Sequence, residues 1–355
     1  MPSKPVRVLM VLRSYPKISQ TYMHTEIEAV RADYDVHVVS TWRSALPRRR
    51  HVPCEFTADP RRLREIVEEL RPDVLHTHFL GMAPEIADLA RRYGVPFTVR
   101  THSEDVLRQP RRLPRMLQRL RRCVRALNDE FCLGVLAFPF ARPALERIGV
   151  RADRVIECHP VVDYRRFLDR GSNETGVLNT GAYVPQKAMH EFIDLASRIG
   201  GPSRLYAVGQ DLSALREYNR SRGSAAEICD PVEPEDMPAV YKRHSWLVYT
   251  ARRERRRVGW PMAVAEAQAA GLGVCVPDLG PDVRDYVGDA GFVYDAIDDV
   301  PAILDRPYPE DMRAAGFEQA QRSDIARHKH LLTDLWDRAA GSRCCVGAAV
   351  TRAAD

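Results

Sequence analysis

Along this chain, short unbroken apolar runs alternate with stretches in which apolar residues return every three or four positions. The first pattern predicts strands and the second helices, so the alternation reads as repeated βα units around parallel sheets. In the first half strands are expected at Val6–Leu12, Val36–Thr41, Val74–His78, Phe97–His102, Gly134–Phe138 and Val155–His159, with helices such as Arg62–Leu70 and Pro84–Tyr93 between them. A second series begins near residue 176, with strands expected at Gly176–Thr180, Arg204–Val208, Ala226–Ile228, Trp246–Tyr249, Gly273–Val276 and Gly291–Val293. Helices such as Met189–Ile199, Pro238–Lys242 and Met262–Ala270 separate these. The polar, turn-rich stretch DYRRFLDRGSNETG marks the junction.

The pattern therefore predicts two α/β domains, each a Rossmann-like doubly wound sheet, over residues 1–165 and 176–324. A helix at about 325–340 is expected to pack back on the first domain, and the small-residue segment 341–355 to be a disordered tail. Rossmann-type sheets bind ligands beyond the carboxyl ends of their strands, so two facing sheets create a cleft between domains.

Composition narrows the class. The length of 355 residues fits two domains, and 45% hydrophobic with 28% charged residues excludes a disordered or collagen-like chain. No apolar run approaches the roughly 20 residues that span a bilayer. The opening MPSKPVRVLMVL has too short an apolar stretch for an export signal and no small-residue cleavage site, so a cytoplasmic location is expected. The eight Cys form no CxxC pair and read as free thiols in a reducing compartment. His76 and His78 alternate on one strand, but no third ligand stands at a suitable spacing, so no metal site is expected.

The net charge of +5 matters less than its distribution. Five of the 53 basic residues are Lys and the rest are Arg, which makes Lys187 conspicuous between a predicted strand and a predicted helix. A diphosphate could rest on such a helix N-terminus beside an ammonium group. Residues 108–125 carry eight Arg and no acid, with Met116, Leu117, Leu120, Val124 and Leu127 at helical spacing. That face suits either packing on the core or peripheral docking on an anionic membrane, reaching about as far as residue 127. The segment lacks interleaved aromatics, so nucleic-acid binding is not expected.

The most informative segment is VGWPMAVAEAQAAGLGVCVPD, residues 258–278. It reads as a turn, then a small-residue helix with one acid, Glu266, then a buried strand. A carboxylate there can accept both hydroxyls of a ribose; a solvated acid near a helix N-terminus is the other reading.

This segment resembles the donor-site motif of glycosyltransferase family 4, the retaining GT-B enzymes, in which the run reads like EGFGLVPLEAMACGTPVV. The resemblance extends along most of the chain. LRSYPKISQTYMHTEI (12–27) is similar to the FPKxSETFIxxEI pattern of exopolysaccharide and colanic-acid-type members. HTHFLGMAPEIADLARRYGVPFTVRTHSED (76–105) is similar to HAHF…GIPFxxTAHGxD, HPVVDYRRF (159–167) to NGVDxxRF, and VLNTGAYVPQKAMHEFI (177–193) to VGRLxxxKGxxxLI.

The resemblance implies a GT-B fold and a metal-independent enzyme without a cofactor, moving a sugar from a nucleoside-diphosphate sugar to a glycan, lipid-linked or small-molecule acceptor. It places His102 on the donor sugar, Lys187 on the diphosphate and Glu266 on the ribose, as the catalytic set. Gly181, Gly209, Asp230, Val232, Gly259, Trp260 and Pro261 would complete the donor site. Two positions depart from the family pattern. Val258 stands where the motif has its first Glu, and Ala182 where GRL has Arg. Glu254 and Arg257, with the neighbouring arginines, are possible substitutes. Either the loop has been rebuilt for a different donor, or the chain is a non-catalytic relative that binds a nucleotide sugar or a partner protein.

Overall fold

A computed structural model describes residues 5–103, 105, 114–252, 259–280 and 282–352. Thirteen strands form two wholly parallel sheets among these residues. The first sheet comprises β1 (Arg7–Leu12), β2 (Asp35–Ser40), β3 (Glu55–Phe56), β4 (Val74–His78), β5 (Phe97–Arg100), β6 (Cys132–Ala137) and β7 (Val155–Glu157). The second comprises β8 (Val177–Ala182), β9 (Ser203–Val208), β10 (Glu227–Cys229), β11 (Trp246–Val248), β12 (Gly273–Pro277) and β13 (Phe292–Tyr294). Their orders are β3-β2-β1-β4-β5-β6-β7 and β10-β9-β8-β11-β12-β13. Each order reverses beside its first strand, between β1 and β4 and between β8 and β11. The loops diverge at such switch points and leave a crevice beyond the strand ends.

The central strands are buried on both faces. Val8 to Leu12, Val74 to His78 and Gly273 to Pro277 are all inaccessible, which is why they read as continuous apolar runs rather than alternating ones. Helices Thr21–Val30 and Ile325–Arg352 cover one face of the first sheet, where Met23 and Ile27 pack with Leu332, Leu335 and Trp336. The last helix thus lies against the first domain although it follows the second. Its backbone continues to Arg352, in contrast to the disordered tail expected from 341. The segment after Ile325 holds no proline, and its alanines propagate a helix that packing has already nucleated.

The chain crosses between domains twice, side by side. Val162 N donates to Ser323 O at 2.9 Å, and Ile325 N donates to Val162 O at 2.9 Å. The basic segment forms the helix Pro114–Leu127; residues 106–113 lie outside the described residues. Its buried side is Cys123, Ala126 and Leu127, whereas Leu117 is 39% exposed. The apolar face expected from the spacing is therefore split, one end seated in the core and the other facing outward.

Candidate functional site

A cleft of about 430 Å³ lies between the two sheets. The first domain lines it with the loop after β1 (Lys17 to Thr21), Tyr22, Phe79 after β4, and His102 and Ser103 after β5. The second domain contributes Thr180 to Ala182, Lys187, Val232, Tyr249, Gly259 to Ala263 and Glu266. Most of these residues follow the carboxyl ends of strands, where the parallel topology exposes loops to a ligand.

Lys187 ends a turn after β8 and directly precedes the helix Met189–Ala196. Asn179 donates its amide to the Thr250 hydroxyl at 2.9 Å, and that hydroxyl donates to the Lys187 carbonyl at 2.8 Å, which fixes the turn to both neighbouring strands. The Lys187 ammonium contacts the Tyr249 hydroxyl and lies 4.3 Å from the Tyr249 ring centroid. Burial lowers it to about 8, since no carboxylate is among the groups acting on it. A bound anion would reverse that cost. Gly181 has φ 141°, open to glycine, and a Cβ there would stand 3.8 Å from Lys187 Nζ.

Glu266 lies on the helix Met262–Ala269, which has buried residues on every side because Ala, Val and Gln fill them. The Tyr241 hydroxyl donates to Glu266 Oε2 at 2.8 Å. Burial pushes the carboxyl up to about 7, against the pull of that hydrogen bond. Trp260 stacks on Tyr286 at 4.8 Å between centroids, and the Tyr286 hydroxyl donates to Pro261 O at 2.8 Å. On its other side Trp260 meets Phe138, Phe140 and His159 of the first domain.

His102 packs against Tyr22 at 4.3 Å and Phe79 at 4.5 Å. Behind it is a cluster of buried polar side chains, Glu26, His76, His78 and Arg100. Glu26 Oε1 lies 2.9 Å from His76 Nε2 and 3.0 Å from His78 Nε2, and Arg100 donates to its other oxygen. Glu26 places a third donor atom within 4.8 Å of the HxH pair, a proximity that the distance along the chain does not reveal. The signal in the sequence is that Glu26 occupies the closing glutamate of the FPKxSETFIxxEI pattern.

The structure thus brings together His102, Lys187, Glu266, Gly181, Val232, Gly259, Trp260 and Pro261 in one cleft. Two assigned residues stand outside its lining. Asp230 is 92% exposed at its side chain and pairs with Arg216 at 3.2 Å. Gly209 follows Val208, which lines the cleft, and a Cβ on it would meet Tyr183 and Leu212. Glu254, Arg257 and Val258 lie outside the described residues. Of the basic run, Arg252 is described: its backbone N–H donates to Gln186 O at 3.0 Å, beside the Lys187 turn. Ala182 lines the cleft and leaves that position uncharged.

Residues 5–159 match the family "Glycosyl transferase 4-like domain", and residues 174–306 match "Glycosyl transferases group 1". No curated protein matches the chain in sequence. Among solved structures, the chain is similar to Anabaena HepE in complex with UDP, with TM-score 0.75 and 14% identity over 94% of this chain and 100% of that one. HepE in complex with UDP-glucose gives 0.71 and 14% over 96% and 100%. Sucrose-phosphate synthase from Thermosynechococcus elongatus gives 0.68 and 16% over 94% and 98%. At such identities the structural likeness speaks to the fold, and the two family matches coincide with the two sheets. The chain belongs to the GT-B glycosyltransferase superfamily.

Proposed function

We propose that this protein transfers a sugar, with retention of anomeric configuration, from a nucleoside-diphosphate sugar to a hydroxyl acceptor. The observation that carries this is the single cleft that collects an ammonium, a carboxylate and an imidazole from both domains. Lys187 and the helix N-terminus beside it would hold the diphosphate, Glu266 the ribose hydroxyls, and His102 the sugar. In the step itself the anomeric C–O bond to the diphosphate breaks, a C–O bond to the acceptor forms, and the acceptor's proton passes to the departing phosphate. Positive charge at Lys187 stabilises that leaving group, and domain closure orients the reactants. The reading needs neither metal nor cofactor.

The HepE complexes with UDP and UDP-glucose favour a nucleotide sugar as donor and make UDP-glucose the first probe. Acceptor candidates are a glycan, a lipid-linked saccharide or a small molecule, in a polysaccharide-forming reaction at the inner face of the membrane. A shallow groove of about 380 Å³ supports peripheral contact: Leu117, Leu120, Val124 and Ile148 line it, with Arg121 and Arg125 at its edge.

Incubation with a panel of nucleotide sugars tests the proposal by release of free nucleotide. Glu266→Ala and Lys187→Ala should each lower turnover roughly 10²–10³-fold, since each removes an oriented charged contact. Turnover at the parental rate in both variants would refute the site. Binding without release from any donor would instead identify a non-catalytic nucleotide-sugar binder, the outcome that Val258 and Ala182 make specific.

A further inference from the structure

Glu26, His78 and His102 form a line of hydrogen bonds from the interior of the first domain to the cleft. Glu26 is 1% exposed, and its Oε2 accepts from Arg100 Nε. Its Oε1 lies 3.0 Å from His78 Nε2, and His78 Nδ1 lies 3.0 Å from His102 Nε2. Burial opposes ionisation of Glu26, but Arg100 and the facing histidines hold its carboxyl well below the usual range, so it is a carboxylate. A carboxylate only accepts, hence the hydrogen between Oε1 and His78 Nε2 belongs to the histidine.

Burial lowers His78 to about 4 and His102 well below its ordinary value, so each ring is neutral at neutral pH and carries one proton. With the His78 proton on Nε2, its Nδ1 is a lone pair. The hydrogen on the next bond must then come from His102 Nε2, which leaves the His102 lone pair on Nδ1. Tyr22 and Phe79 confine the ring on its faces.

We propose that Glu26 and His78 are positioning residues that lock His102 as its Nε2–H tautomer, so that the ring offers the cleft an acceptor for a hydroxyl of the bound sugar rather than a proton. The inference rests on the sugar-transfer reading, since His102 lines the same cleft. It also accounts for a buried carboxylate and a buried histidine, Glu26 and His78, that the transfer step does not itself use.

A metal ion would require the opposite arrangement. The donor atoms of Glu26, His76 and His78 lie within 4.8 Å of one another, a spacing that also suits a cation. A cation on His78 Nε2 would displace that proton to Nδ1, which would then donate to His102 Nε2 and leave the His102 proton on Nδ1. Arg100 favours the proton network, because its guanidinium already neutralises the carboxylate.

Nitrogen NMR of the full chain carrying ring-labelled histidine decides between them, with the His102 signals assigned from the spectrum of His102→Gln. The expected result is a His102 ring protonated at Nε2 and bare at Nδ1; the Nδ1–H form or an averaged mixture overturns the proposal. With UDP-glucose as donor probe, His78→Phe keeps a ring but removes both bonds, and should lower kcat roughly 10- to 100-fold while UDP affinity is unchanged. His78→Gln supplies an amide donor and acceptor and should restore most of the turnover. A folded His78→Phe with parental kcat and an unchanged His102 tautomer overturns the proposal. If the parent chain releases nucleotide from no sugar donor, the transfer reading fails, while the tautomer still decides the relay by itself.

Discussion

Glu266 carries its charge at a cost to the fold. It is 8% exposed, and burial raises its carboxyl to about 7 from an ordinary value of about 4.3. A folded-state value above the unfolded one means that the folded chain holds the proton more tightly. The stabilisation is complete below about 4.3 and is lost as pH rises through about 7. Above that, the buried carboxylate costs on the order of 3 kcal/mol. Glu266→Gln keeps an acceptor for Tyr241 and carries no charge, so it should melt above the parent at alkaline pH and together with it in acid. Nucleotide binding should follow the opposite preference. In the proposed donor site it needs Glu266 ionised, above about 7, and Lys187 cationic, below about 8. Calorimetric titration with UDP should therefore give an affinity maximum between those values, and Glu266→Gln should flatten the acid limb. An affinity that climbs steadily into acid would show that Glu266 does not bind as a carboxylate.

At the scale of elements, the helix Pro114–Leu127 joins two environments. Cys123, Ala126 and Leu127 anchor it in the core, while exposed Leu117 stands among Arg115, Arg119 and Arg121. An apolar residue on a basic face is the form of a peripheral membrane contact, with each basic residue near an anionic surface contributing about 1 kcal/mol. Co-sedimentation with phosphatidylglycerol vesicles should exceed that with phosphatidylcholine and fall with added salt. Leu117→Asp should abolish it. Equal binding to both lipids at high salt would remove the electrostatic contact. Element by element, the sequence pattern was most informative where burial was complete: β1, β4 and β12 appear within a residue or two of the expected runs. It missed β3, whose two residues, Glu55 and Phe56, are too short for any periodicity. The helix Ser213–Ser221 carries a weak periodic signal, because within SALREYNRS the buried residues are Leu215 and the polar Asn219. Within the site, Lys187 and Glu266 were legible because each is a lone charge in an otherwise apolar or lysine-poor segment. Arg100 and Tyr249 were not, nor was the place of Glu26 beside Arg100, because strand pairing and the packing of the helix Thr21–Val30 on the first sheet bring together residues far apart along the chain.

For the whole molecule, the cleft is shaped by contacts that belong to neither domain alone. A Cβ on Gly259 would overlap Ser103 and Phe140, and Thr21 approaches Met262 Sδ at 4.0 Å. Arg48 of the first domain pairs with Glu235 of the second, at side-chain exposures of 3% and 20%, and Arg49 N donates to Glu233 at 3.3 Å. Neither Arg48 nor Glu235 lines the cleft, so their influence on turnover must pass through the relation of the domains. Separating the domains would return both charges to water, whereas removing one partner leaves the other buried and unpaired in the closed form. Breaking such a pair costs about 3 kcal/mol, a shift of roughly a hundredfold toward the open form. Arg48→Ala should therefore enlarge the radius of gyration in small-angle scattering and lower kcat by at least tenfold, since small misplacements across a reacting centre are expensive. UDP affinity, which the proposed donor site draws from the second domain, should stay at the parental value. Glu235→Ala should act alike, and the double variant should be no worse than either single one, because both remove the same interaction. An unchanged scattering profile with parental turnover in Arg48→Ala would mean that the pair does not hold the cleft closed, and additive losses would mean that each residue acts through some other contact.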